Sequence, residues 1–246
     1  MTNRSPLTLK EYLTRTRSKG FSIITVLALL AVYETGLVIT EEPRRNAADV
    51  LLKDAFAWLG PHGLQIFHGL LVVLFFGAFF YYLKRSRSVL RYFLPFLAES
   101  TIYAVLLSPA ILFVARPSLA PSAAGHALLD IGAGVYEEIL FRLFILRGCV
   151  FILGVDPFVA FFDDGASTRK SFISASSSLI LPILISATTF AAYHHIGPFG
   201  DPWLWPLFLF RFIAGLFLAQ LFFLRGLAVC VYAHAIYDLL IHFAIT

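Results

Sequence analysis

The sequence predicts an all-α, polytopic transmembrane helix bundle of about seven spans. Three observations lead there. Of 246 residues, 59% are hydrophobic and 14% charged, where a soluble domain carries roughly a quarter charged residues. Phenylalanine occurs 26 times, too much apolar surface for one aqueous core. The polar residues are clustered, so no amphipathic stripe runs along the apolar stretches.

A helix needs about 20 apolar residues to cross the hydrocarbon core. Stretches near 21–40, 64–83, 92–115, 126–154, 172–194, 203–224 and 226–245 meet that length. The first follows a basic lead, as a signal peptide does, but no small-residue cleavage site closes it, so it reads as a retained anchor. Between the first and second spans, residues 46–59 place Val50, Leu51, Asp54, Ala55 and Trp58 at near-helical spacing among charges. That pattern fits a short interfacial helix. The fourth stretch exceeds the bilayer and is expected to tilt, kink or begin outside it. The small residues of 174–178 suit close helix approach. Only Arg225 and Gly226 separate the last two spans, which demands a tight hairpin. Cys149 and Cys230 both fall in apolar spans and read as packing residues.

The net charge of +4 does not indicate nucleic acid, because the cations sit at span ends. Arg4, Lys10, Arg15, Arg17 and Lys19 precede the first span, and Lys84, Arg85, Arg87 and Arg91 follow the second. Arg169 and Lys170 follow the fourth and Arg225 the sixth, while the alternate loops hold fewer cations: Arg44, Arg45 and Lys53, then Arg116. The positive-inside rule then puts the N-terminus in the cytoplasm and the C-terminus outside. The expected address is a bacterial plasma membrane.

An ionisable side chain in mid-span is costly and is a functional suspect by default. Glu34, His68, Glu99 and Arg211 are such residues without an assigned role. The fourth span holds Val-Tyr-Glu-Glu-Ile-Leu-Phe-Arg, ending at Arg142. Glu138 and Arg142, four apart, share a helix face; Glu137 points about 100° away. A carboxylate so removed from water gains affinity for a proton, as a general base requires. Two carboxylates sharing one arginine as structural glue would also explain the segment. The fifth span ends in Phe190-Ala-Ala-Tyr-His194-His195, which could be an interfacial anchor. The seventh carries His234 and Asp238 at i, i+4, a pair able to satisfy itself.

Together these segments resemble the three motifs of the CAAX protease and bacteriocin-processing (CPBP, or Abi) family. Glu137, Glu138 and Arg142 match Glu-Glu-x-x-x-Arg; Phe190 and His194 match Phe-x-x-x-His; His234 and Asp238 match His-x-x-x-Asn in a variant form. The Leu-Arg-Gly-Leu-Ala run from Leu224 resembles the turn before the family's last helix. The likeness covers about residues 125–246 and implies a catalytic membrane domain there, behind a cytoplasmic segment at 1–20 and accessory spans at 21–124. It implies a glutamic-type intramembrane peptidase with no cofactor and no metal, in which Glu137 is the general base and His194 positions or polarises the water. His234 would donate to the oxyanion, a contribution often worth about 10²–10³ in rate. Glu138 and Arg142 would support the helix and orient Glu137. An ionised Asp238 cannot donate, so its expected part is to orient His234.

Other classes fit some of these residues. One Glu, two His and an Asp could bind zinc, although no His-Glu-x-x-His helix is present. A non-catalytic immunity or scaffold protein would use the polar residues as glue. A proton-coupled transporter would need repeats that are absent. The charge bias places Glu137, His194 and His234 at or beyond mid-depth toward the outside. The expected partners are therefore the bilayer and a membrane-associated protein or peptide exposed there, such as a leader or C-terminal sorting anchor. Pro198, Pro202, Trp203, Trp205 and Pro206 would form its outer lip, the tryptophans suiting the interface.

Overall fold

The computed structural model describes residues 7–42, 44–85, 89–114, 124–154, 169–197 and 200–245. Among them the fold is entirely helical. Pro198, Arg87 and Arg116 lie outside the described residues, as do the side chains of Lys84, Arg85, His126, Arg169, Lys170 and positions 174–177.

Helix α1 (Leu9–Thr16) was not anticipated from the basic N-terminal segment. Thr8 caps it by accepting from the Glu11 N–H, and its buried Tyr12 and Thr16 face the bundle. α2 (Lys19–Ile39) begins at Ser18, whose hydroxyl accepts from the Phe21 N–H. The short helix expected at 46–59 is α3 (Ala47–Ala57), capped by Asn46. α4 (Gly63–Arg85) and α5 (Val89–Val114) follow. The long fourth stretch is one continuous helical rod: α6 (Ala124–Glu138), a π-helical segment (Ile139–Leu146), and α7 (Arg147–Ile152). The Arg147 N–H reaches the Arg142 carbonyl five residues back, the widened hydrogen bonding of a π turn, which occurs often at functional sites. α8 (Arg169–Tyr193), α9 (Trp205–Arg225) and α10 (Leu227–Ile245) complete the bundle.

By length and composition, Lys19–Ile39, Gly63–Phe80 and Trp205–Arg225 can cross a membrane, and Ser178–Tyr193 and Leu227–Phe243 are shorter apolar stretches. Gly226 turns α9 into α10 with φ +84°, a conformation that costs glycine least.

α10 occupies the centre. Val229, Val231, Tyr232 and Ala233 pack in one buried cluster with Phe21, Tyr33, Phe96, Val135 and Tyr136 from α2, α5 and α6. A second cluster joins Leu107, Phe141, Phe190, Ala214 and Tyr237. At Gly134 a Cβ would lie 2.6 Å from the Ala235 Cβ and 2.7 Å from its backbone nitrogen. The missing side chain lets α6 and α10 touch along their backbones, which brings the Glu137–Glu138 pair level with His234.

The chain is clamped at both ends. On the N-terminal side, Arg225 binds Glu99 through Nε at 2.5 Å and Nη2 at 2.8 Å, and Nη2 also donates to Thr16 Oγ1 at 2.8 Å. Tyr12 donates to Glu99 Oε2 at 2.5 Å, the oxygen that Arg225 Nη2 also binds. At the opposite end, Glu34 accepts from Lys53 at 2.8 Å, Arg45 at 3.2 Å and Tyr136 at 2.5 Å. Glu34 and Glu99 thus anchor α3 and α1 to the bundle. His68 bonds back to the Leu64 carbonyl at 2.8 Å on an exposed face.

Candidate active site

The two adjacent carboxylates of α6 point to different partners, as the 100° step between helical neighbours requires. Glu138 is fully buried. Its Oε2 lies 3.1 Å from Arg142 Nε and accepts from Cys230 Sγ at 2.9 Å; its Oε1 meets His234 Nδ1 at 2.8 Å. Glu138 therefore holds His234 as well as Arg142. Cys230, read as packing, also donates to the carboxylate. Its position four residues before His234 on α10 is the reason, since i and i+4 share a face. Arg142 is buried too, donates to the Gly215 carbonyl at 3.3 Å and stacks 4.5 Å from the Phe190 ring centroid.

Glu137 is also buried but faces the other way. Its Oε1 accepts from Asn46 Nδ2 at 3.0 Å. Its Oε2 lies 3.5 Å from His194 Nε2 and has no hydrogen-bond partner among the described residues. His194 Nδ1 is tied to the Phe190 carbonyl at 2.8 Å. A carbonyl only accepts, so Nδ1 carries hydrogen and a neutral ring presents Nε2 as the acceptor toward Glu137. The His194 side chain keeps 20% exposure, so solvent has access to this gap.

His234 lies between two carboxylates, Glu138 at Nδ1 and Asp238 at 3.4 Å from Nε2. With Glu138 held as an anion by Arg142, Nδ1 is the donor and Nε2 is left to the open side. The Phe190 ring spaces the two histidines, 4.8 Å from His194 and 5.8 Å from His234. The helices thereby bring Glu137, His194, His234 and Asp238 to one locus. His195 is turned aside: its Nδ1 meets the Asp201 carbonyl at 3.1 Å and its ring lies 4.9 Å from Trp203.

Residues 127–240 match the family model described as Rce1-like, type II CAAX prenyl endopeptidase. That model is one of the CPBP family. The matched segment runs from α6 through α10 and contains all three motifs; the match suggests a protease and, with the apolar helices, supports an integral membrane protein. No curated protein and no solved structure matches the chain.

Several residues around the Rce1-like motifs escaped the sequence reading. Asn46 comes from a loop 91 positions away from Glu137. Arg211, named from its mid-span charge but given no role, pairs with Asp201 and lies close enough to Glu137 and Asp238 to interact electrostatically. Asp130 pairs with His242 Nδ1 at 3.1 Å and interacts with Asp238 and His234. Among the described residues, no three His, Cys, Asp or Glu side chains form a group suited to a metal ion.

Proposed function

We propose that the chain is a glutamic-type intramembrane endopeptidase. The observation that supports this most is the Glu137 Oε2–His194 Nε2 separation of 3.5 Å, with Oε2 otherwise unbonded among the described residues. One water on the solvent side can hydrogen-bond to both. Glu137 takes a proton from that water as its oxygen attacks the scissile carbonyl carbon, and His194 aligns it. The carbonyl oxygen becomes an oxyanion and accepts from His234 Nε2–H, the ring being the imidazolium, held between the Glu138 and Asp238 carboxylates so that both of its nitrogens donate. Glu137 then returns the proton to the leaving amine as the C–N bond breaks. Asp238 and Glu138 orient the His234 ring, Arg142 anchors Glu138, and no cofactor enters the scheme.

The substrate reading is a membrane-associated protein or peptide cut near the face that carries Asn46 and His194. If the charge bias sets topology, that face is the outer one and a leader or C-terminal sorting anchor is cut. The family's description as a prenyl endopeptidase favours a second reading, a prenylated tail, which requires the same face to be cytoplasmic. Comparing the termini of membrane proteins in cells carrying the wild type or Glu137→Gln tests both. New termini that disappear with Glu137→Gln are expected, and their side of the membrane identifies the substrate class. Identical sets of termini would sink the protease reading.

A further inference from the structure

We propose that Asn46 is a positioning residue for the base: its side-chain amide fixes one oxygen of Glu137 so that the other faces His194. The inference rests on Glu137 being the base. Asn46 is the N-cap of α3, and its Oδ1 accepts from the Ala48 N–H at 2.8 Å. Capping needs only that oxygen, and Asp or Ser serves as well. What asparagine adds is an N–H₂ group, and it is this group that donates to Glu137 Oε1 at 3.0 Å. The sequence contains two asparagines, Asn3 and Asn46. The third motif ends in Asp238, a group without a donor when ionised, whereas the α2–α3 loop supplies Glu137 with a side-chain amide.

The loop is built to hold that amide still. The Asn46 backbone N–H donates to Tyr33 Oη at 3.1 Å, and Tyr33 donates to Asp49 at 3.0 Å. Arg45 spans Glu34 and Asp49 at 3.2 and 3.0 Å, and Lys53 spans the same two carboxylates at 2.8 and 2.6 Å. Tyr136, the residue before Glu137, closes the network on Glu34. The same cluster therefore grips both Asn46 and the helix turn that bears Glu137. A fixed donor on Oε1 removes one rotational choice of the carboxylate and favours its ionised form.

The test reads Glu137 directly, without hydrolysis. The full-length protein in detergent is treated with dicyclohexylcarbodiimide, which modifies protonated carboxyl groups in apolar surroundings. Labelling of the Glu137 peptide is followed by mass spectrometry across pH, with Glu137→Gln as the blank. Asn46→Ser keeps a cap and loses the donor; Asn46→Asp keeps a cap and sets a carboxylate against Glu137. The pH of half-labelling is expected to rise by about one unit in the serine variant and further in the aspartate variant, with unfolding temperatures near the wild type's. An unmoved midpoint in a folded Asn46→Ser protein overturns the proposal, as does a shift seen only in variants that have unfolded. If the midpoint moves while Glu137→Gln cells show unchanged termini, Asn46 does hold Glu137 and the protease reading is what fails.

Discussion

At the scale of residues, the lesson lies in the two glutamates. Glu137 touches few partners and Glu138 three, so their substitutions should separate. Glu137→Gln is nearly isosteric and should leave stability unchanged while lowering turnover by more than about 10³, the upper part of the range for general-base loss. Glu138→Gln leaves Arg142 buried beside a neutral amide and releases His234; breaking a buried pair costs about 3–5 kcal/mol. It should lower both the unfolding temperature and turnover, in contrast to Glu137→Gln. Equal unfolding temperatures for the two variants would contradict the assignment. The two adjacent histidines offer a second separation. His194→Asn should abolish turnover, whereas His195→Asn, on the Asp201 and Trp203 side, should retain activity within about tenfold, the scale of an indirect effect. Equal losses in the two would place His195 in the site.

Among the elements, the contact of α6 with α10 matters most, because it carries two of the three motifs. Gly134→Val forces the helices apart, since even a Cβ would stand 2.6 Å from Ala235. Overpacking of this kind costs about 1–3 kcal/mol, and the Glu138–His234 bond should lengthen with it. Reduced turnover with a lower unfolding temperature is the expected outcome; a Gly134→Val protein with wild-type values of both would show that this contact does not set the site. α3 is a second element with consequences, because its cap residue reaches Glu137 while its exposed Trp58 faces outward. A helix far from Glu137 in the chain is thereby joined to it through one side chain.

For the whole molecule, the question is which face the site opens to. α1, Glu99 and Arg225 cluster at one end, while Asn46, His194 and Asp201 gather toward the other. Gly200 is a poor position for a reporter, since a Cβ there would lie 2.8 Å from the His195 carbonyl carbon; Ser86 lies outside the described residues. Ile196 and Lys10 are exposed and suit reporters on the two sides. In a Cys149→Ser background, Ile196→Cys should react with an impermeant thiol reagent in intact cells and Lys10→Cys should not. The reverse pattern would turn the site toward the cytoplasm and make a prenylated tail the leading substrate.

Much of the bundle was legible in the order of residues. Apolar runs long enough for the bilayer mark the spans, because unsatisfied backbone in hydrocarbon leaves helices as the available form. Ionisable residues inside those runs mark the motif positions Glu137, His194 and His234, because each is too costly to face lipid. The partners of those groups were decided only by tertiary structure. Nothing in local spacing says that Asn46 meets Glu137, that Glu138 takes His234 as well as Arg142, or that Arg225 closes on Glu99 and Thr16. Those pairings depend on how close two helices come and on which rotation each takes, and such details as the bare backbone at Gly134 and the π turn after Glu138 set both. Periodicity places a side chain on a face of its own helix; only the packed bundle chooses what stands opposite.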